Sequence, residues 1–273
     1  MSPTESHVPE FNPPAYDLRA LEHALTGTVY AGKLRYAPVT DSTNTDALNA
    51  GRTDAPNGSV YFADEQMLGR GRGNHGWHSP PGEGLYVSVL LRPKWAARRL
   101  PLLPLAAGLA ASSAVNAAAG LPIDLRWPND LMIGARKVGG ILVEAKTESD
   151  RVSFAVVGIG INVHQTGFDS GLSTPGTSLA LETNRRVNRQ ELLIELLLRL
   201  ADEMQALLNP VSAKGIPARV ETASTWIRGK RVEVHGPQAC IGVTEGLDAD
   251  GFLRVRTASG LVTVQTGGVR DRA

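Results

Sequence analysis

Four short clusters along the chain bring together side chains suited to anionic or strongly polar ligands. The first runs from Leu68 to Gly84, where Gly69, Gly71, Gly73, Gly76, Gly82 and Gly84 alternate with Arg70, Arg72, Trp77 and two prolines. Neither a helix nor a strand tolerates that density of glycine, so the segment reads as a long loop. Glycine lets the backbone wrap closely around a ligand, and guanidinium groups suit phosphate. A solvated surface loop with incidental arginines is the competing reading. Gly71-x-Gly73-x-x-Gly76 has the form of a dinucleotide fingerprint. That motif must follow a strand directly and open a helix. Here Asp64-Glu65-Gln66 intervenes and Trp77-His78-Ser79-Pro80-Pro81 follows, so the fingerprint is rejected, and no P-loop pattern occurs anywhere.

The second cluster is Arg126-Trp127-Pro128-Asn129-Asp130, a strand that runs into proline and two polar side chains. Asn129 and Asp130 either cap a proline turn or serve a nucleotide contact and a metal or proton-transfer role. The third is Lys137-Val138-Gly139-Gly140-Ile141-Leu142-Val143-Glu144, with a lysine at the mouth of a strand whose glycines leave space beside it. The fourth is Gly158-Ile159-Gly160-Ile161-Asn162. Alternating glycines weaken a strand and are tolerated where something approaches its backbone. Asn162 is either a ligand contact or a satisfied core amide.

The elements that must position these clusters follow from periodicity. Helices are expected over 17–25, from 43 to Gly51, over 101–119 ending at Gly120, and over 188–208 with leucines on one face. Asp41-Ser42-Thr43-Asn44 supplies capping residues for the second. Strands are expected over 34–39, 59–63, 85–91, 125–127 and 139–146, these last two flanking a turn at Gly134-Ala135-Arg136. A buried central strand is expected over 154–163. Beyond Trp226, short β-rich runs over 231–234, 240–247, 252–257 and 262–266 are broken by Gly236-Pro237, Asp250-Gly251 and Ser259-Gly260, which reads as a small antiparallel barrel or sheet. Residues 1–15 read as a disordered tail.

Composition narrows the function. The 273 residues are 42% hydrophobic and 20% charged, ordinary for a globular chain. Lys+Arg 28 against Asp+Glu 27 leaves a net charge of +1, unlike a dedicated nucleic-acid binder. The single Cys240 excludes a disulfide framework and a cysteine zinc site. Apolar stretches such as 100–111 are short or broken by charges, and the N-terminus lacks a secretory pattern, so a cytoplasmic protein is expected.

Together the motifs resemble one family. Asp41-Ser42-Thr43-Asn44, Gln66-x-x-Gly69-Arg70-Gly71-Arg72, Trp77-x-Ser79-Pro80, Trp127-Pro128-Asn129-Asp130, Lys137-x-Gly139-Gly140-Ile141-Leu142-Val143-Glu144 and Gly158-x-Gly160-x-Asn162 occur in the order seen in biotin protein ligases. The resemblance covers roughly residues 16–270. It implies an α+β fold: a catalytic domain akin to class II aminoacyl-tRNA synthetases, built on a mixed β-sheet over 16–224, and a C-terminal SH3-like barrel over 225–273. It implies activation of biotin by ATP to biotinyl-5′-AMP, with Mg²⁺, and transfer to a lysine of a biotin carboxyl carrier protein.

By the same resemblance Ser42, Thr43, Asn44, Gln66, Arg70, Gly71, Arg72, Lys137, Gly139 and Gly140 face biotin. Arg70, Arg72, Trp77, Asn129, Lys137 and Asn162 face ATP. Lys137, Arg72 and Asp130 carry the chemistry, with Asp130 orienting or deprotonating the carrier lysine, and no dedicated metal ligand is implied. The resemblance begins near residue 16, so a ligase without a DNA-binding winged helix is expected, with neither nucleic acid nor membrane as partner. A homodimer through the catalytic sheet is one arrangement the family allows.

Three features depart from the family pattern. His75 stands where an arginine is common, Arg126 replaces a common lysine, and Gly73 and Gly76 should loosen the loop, which is expected to order over ligand. Two other readings remain: a lipoate or octanoyl ligase, which shares the catalytic fold but lacks this arginine loop, and a silent biotin-binding scaffold.

Overall fold

Period-two burial along the long strands decides how the molecule is layered. In a strand, alternate side chains point to opposite faces. Along 154–161, Ala155, Val157, Ile159 and Ile161 join the main hydrophobic core, while Phe154 and Val156 belong to a smaller cluster on the other face. Gly158 and Gly160 continue that second face, and there the packing gives way to a pocket.

The structure, a computed structural model, describes residues 16–272; the tail read as disordered, 1–15, lies outside the described residues. A seven-stranded sheet is built from β1 (Leu34–Thr40), β2 (Ser59–Gln66), β3 (Gly84–Leu91), β4 (Asp124–Arg126), β5 (Asp130–Ile133), β6 (Arg136–Glu148) and β7 (Arg151–Asn162). Its spatial order is β1-β2-β3-β7-β6-β5-β4. Only β1 and β2 run parallel; the other neighbours are antiparallel, so the sheet is mixed. β7 lies at the centre, as its apolar run implies.

Among the helices α1 (Leu18–Ala24), α2 (Thr43–Arg52), α3 (Leu102–Ala119), α4 (Leu179–Thr183), α5 (Arg189–Leu208), α6 (Pro210–Ala213) and α7 (Ile216–Thr222), two layers matter. α2 packs on the face of β2, β3 and β7 that carries the pocket, and α3 packs on the opposite face beneath α5. Gly120 ends α3 in a left-handed conformation, φ 70°, as expected of a glycine stop. α3 is long and apolar enough on composition alone to cross a membrane, more so than the sequence reading allowed, yet here it is largely buried in the core.

The stretch 124–148 differs from the expected pair of strands. Residues 127–129 are themselves a turn, with a cis Trp127–Pro128 peptide bond, and β5 fills the gap before the turn at Gly134. The chain therefore makes two hairpins, and Asn129 and Asp130 sit where the first one reverses. A four-residue strand carries too little periodicity to be separated from its flanking turns.

The C-terminal segment forms a second, antiparallel sheet in the order β11-β10-β9-β8-β12, as an SH3-like module requires. Its strands are β8 (Arg228–His235), β9 (Cys240–Leu247), β10 (Leu253–Thr257), β11 (Gly260–Val264) and β12 (Gly268–Asp271). It is stitched to the first sheet: Trp127 Nε1 donates to Gly251 O at 3.0 Å, and Ser224 and Thr225 cover edge strand β4 through Leu125 O and the Asp124 carboxylate. Covering an edge in this way blocks further strand pairing there.

Candidate active site

The pocket lies where the N-terminus of α2 meets the glycine-bearing ends of β6 and β7. Ser42 stands at the N-cap of α2 in extended backbone but makes no side-chain capping bond, contrary to the expectation that this cluster caps the helix. Thr43 and Asn44 instead turn inward, and all three are buried.

A directed chain of hydrogen bonds follows. Thr43 Oγ1 and Ser88 Oγ are 2.8 Å apart, Ser88 Oγ donates to Asn44 Oδ1 at 2.6 Å, and Asn44 Nδ2 donates to Glu144 Oε2 at 3.0 Å. On the other side Thr43 N–H donates to Gln66 Oε1 at 2.9 Å, and Gln66 Nε2 donates to Ser79 Oγ at 2.8 Å. Buried polar networks of this kind hold their members in one geometry because an unmade bond is expensive. Ser88 and Glu144 were not among the sequence-derived site residues. The one signal for Ser88 is its place, two residues from Tyr86 and from Leu90 on an otherwise apolar strand.

The glycines are shaped by what they face. A Cβ on Gly158 would lie 1.9 Å from Asn44 Oδ1, and one on Gly160 would lie 2.6 Å from Trp77 Nε1. Gly140 faces Lys137 and Trp77 at ordinary contact distance, whereas Gly139 points to the other side of β6, towards Leu131 and the Gly160 carbonyl, and does not line the pocket. Asn162 is also outside it: its amide donates to Thr177 O at 3.0 Å, the satisfied-core outcome of the two open for it.

The arginine loop folds back on itself through paired backbone bonds, Gln66 with Ser79 and Arg70 with Gly76, around a single helical turn at Arg72–Asn74. Arg70 forms an ion pair with Glu144, which ties the loop to the same carboxylate that holds Asn44. Gly71 supplies backbone only, its N–H donating to His75 O at 2.7 Å. Arg72 Nη1 reaches Asn129 Oδ1 at 3.2 Å and Gly267 O at 2.9 Å, bridging the loop to the second sheet. Burial lowers the Arg72 pKa from its ordinary value, partly offset by the nearby Asp130 charge. His75 is exposed.

Behind the loop lies a charged triad. Lys137 Nζ sits 2.5 Å from Asp130 Oδ1, and Arg126 Nη2 sits 2.7 Å from Asp130 Oδ2. Burial pushes the Asp130 carboxyl upward, but Lys137 and Arg126 outweigh it and hold the group below the usual carboxylate range. Lys137 Nζ also lies 5.5 Å from the centre of the Trp77 ring. The closed pocket beneath Trp77 measures about 50 Å³, while the outer cleft along 66–79 opens to about 870 Å³. Arg70, Arg72, Asn129 and Lys137 border the same pocket as Ser42, Thr43 and Asn44, so a polar cradle opens directly onto cations.

The comparisons with known proteins bear on this geometry. Residues 36–162 match the model of the biotin/lipoate A/B protein ligase family. The biotin–[acetyl-CoA-carboxylase] ligase of Mycobacterium tuberculosis is 32% identical over 273 residues, covering 94% of this chain and 96% of its own. The chain belongs to this family. The bifunctional ligase/repressor BirA of Bacillus spizizenii is 32% identical over 263 residues, 91% of this chain and 77% of that protein. Among solved structures, the biotin protein ligase of Aquifex aeolicus in complex with biotin and ATP superposes with a TM-score of 0.76 at 28% identity, over 88% of this chain and 99% of that one. Both family and fold thus accord with the resemblance drawn from the motifs.

Proposed function

We propose that this chain is a biotin protein ligase, using ATP to convert biotin to biotinyl-5′-AMP and then acylating a lysine of a biotin carboxyl carrier domain. The observation that carries the reading is the junction of the buried Thr43–Ser88–Asn44 network with Lys137, Arg70 and Arg72 in one pocket. A cyclic urea needs donors and acceptors in pairs, which hydroxyls and side-chain amides supply. Its carboxylate must meet an α-phosphate of like charge, which requires cations at the meeting point.

In the first half-reaction a biotin carboxylate oxygen bonds to the α-phosphorus and the bond to the pyrophosphate oxygen breaks. Lys137 is placed to leave Asp130 for the accumulating negative charge, and Arg72, which has no carboxylate on its guanidinium, is free to take phosphate. The product is a mixed anhydride that water destroys, so the loop tethered by Arg70–Glu144 has to close over it to exclude solvent. In the second half-reaction the neutral amine of the carrier lysine attacks the anhydride carbonyl, the C–N bond forms, the carbonyl–oxygen bond to the phosphate breaks so that AMP leaves, and the nitrogen's surplus proton passes to solvent. Asp130, held in its ionised form, is a poor proton acceptor, and its service is to seat and orient the incoming ammonium before the proton departs to solvent.

No group of three or more His, Cys, Asp or Glu side chains that could cage a metal occurs among the described residues. Mg²⁺ arriving with the nucleotide would supply charge neutralisation at the triphosphate. A cytoplasmic location without a membrane partner stays the sequence-based proposal, and the near-zero net charge supports the absence of a nucleic-acid partner.

The deciding experiment is ATP–pyrophosphate exchange with Mg²⁺, run in parallel with biotin, lipoate and octanoate. Exchange with biotin alone supports the reading; exchange with the other acids moves the protein to the sister activity; no exchange with any favours a silent binding protein.

A further inference from the structure

Arg126 occupies a position no step above uses, and its surroundings are unusual for an arginine. Its side chain is 8% exposed, against 15% for Asp130 and 28% for Lys137, so the triad runs from buried to open in that order. Both Nε, at 3.0 Å, and Nη2, at 2.7 Å, donate to the same oxygen, Asp130 Oδ2. Nη2 also donates to Thr174 Oγ1 at 2.9 Å, and the guanidinium carbon lies 5.2 Å from the centre of the Trp226 ring. Three separate segments therefore grip one planar group: the hairpin that carries Asp130, the loop that follows β7, and the connection into the second sheet. Asp130 Oδ1, by contrast, faces only the more exposed Lys137 ammonium.

We propose that Arg126 is the positioning residue of the transfer step: it pins Asp130 by one oxygen so that the other is an exchangeable seat for an ammonium group. In the structure that seat holds Lys137. Once Lys137 has moved to the adenylate, the carrier's lysine takes the vacated oxygen and its nitrogen is placed beside the anhydride. A lysine at 126 would keep the charge but not the fork, since an ammonium is a point donor without fixed planar geometry. This proposal rests on the role given to Asp130 above, and it names the residue that makes that role directional.

The charged groups that face Asp130 are Arg126 from β4, Lys137 from β6 and Arg72 from the loop. Removing Arg126 takes away one of the interactions that keep the carboxylate ionised, so its titration moves to higher pH.

The test separates the half-reactions in the full-length enzyme. Pyrophosphate exchange reports adenylation, and single-turnover transfer from pre-formed biotinyl-5′-AMP to a carrier domain reports the second step, across a pH series. For Arg126→Met, transfer is expected to fall by about 100-fold with its acid limb displaced upward, while exchange stays within about threefold. Arg126→Lys, which retains the charge and guards against loss of folding in the Met variant, should lose transfer by about tenfold and restore most of the acid limb. Equal losses in both half-reactions with an unmoved acid limb would show a structural role only and overturn the proposal. Asp130→Asn is the control for the underlying reading. If it transfers at the wild-type rate, Asp130 has no such role; if it fails while both Arg126 variants transfer normally, only the Arg126 assignment falls.

Discussion

The tightest contact in the pocket yields the sharpest test. Gly158 lies on the central strand, paired to Ser88 of β3 on one side and Leu142 of β6 on the other, so its backbone has nowhere to move. In Gly158→Ala the new methyl would sit 1.9 Å from Asn44 Oδ1 and 2.7 Å from its Cγ. Asn44 must therefore swing out, losing the 2.6 Å bond from Ser88 and the 3.0 Å bond to Glu144. A neutral bond contributes about 1 kcal/mol and one to a charged group about 1.5–3, so the free protein should lose about 3 kcal/mol of stability.

On the assignment of Asn44 to the biotin ring, the same displacement removes that amide as a ring partner. At about 1.4 kcal/mol per factor of ten, losing one neutral hydrogen bond to the ring, worth up to about 1.4 kcal/mol, weakens biotin binding by about tenfold. Gly140→Ala is the matched comparison, because its methyl would meet Lys137 Cε at 3.4 Å and Trp77 Cζ3 at 3.5 Å, ordinary contacts. It should keep its stability to within about 0.5 kcal/mol of wild type. Urea denaturation and biotin calorimetry on both variants read the two quantities. Wild-type affinity in Gly158→Ala, or a larger loss in Gly140→Ala, would refute the assignment of Asn44 to biotin.

Three further outcomes follow from the same geometry. Trypsin should cut at Arg70 and Arg72 in the free protein and be slowed by biotin with ATP; equal cleavage with and without ligands would contradict closure by this loop. The inner pocket of about 50 Å³ is far smaller than the ~300 Å³ at which small-molecule pockets begin, and Trp77 lines both it and the outer cleft, so a bound ligand is expected against the indole. Saturating biotin should change tryptophan fluorescence in the wild type and not in Trp77→Phe. Finally, Asp130 is held below its ordinary pKa, so its ionised form stabilises the fold at neutral pH and that contribution is lost as pH falls through the folded value. Asp130→Asn should unfold about 3 kcal/mol more easily at pH 7, with a gap to wild type that narrows on acidification in urea melts.

Much of this site was legible because its groups are adjacent in the chain: Asp41 to Asn44, Gly69 to Arg72 and Trp127 to Asp130 each fall on one turn or loop. What escaped is contact between distant segments. Nothing local marks Glu144, exposed-looking at the end of an apolar strand, as the partner of both Asn44 and Arg70, which lie 100 and 74 residues away. Asn162 and Gly139 show the reverse failure. Their motifs place them beside the pocket in sequence, but strand alternation and the 163–178 loop turn one to the core side and bury the other. The short β5 was hidden for a similar reason, since four residues between two turns cannot display a period.

The charges around the pocket also order the two half-reactions. Arg70 is paired with Glu144, and Arg126 and Lys137 share Asp130, which leaves Arg72 as the one cation of the four held only by neutral oxygens. Nucleotide phosphate should therefore engage Arg72 first. Lys137 has to break a 2.5 Å contact with Asp130 before it can serve the carboxylate, and that break is what uncovers the oxygen the acceptor lysine needs. On this reading a carrier that arrives before the adenylate finds its seat already filled by Lys137. The Lys137–Asp130 ion pair thus keeps the second step from beginning early.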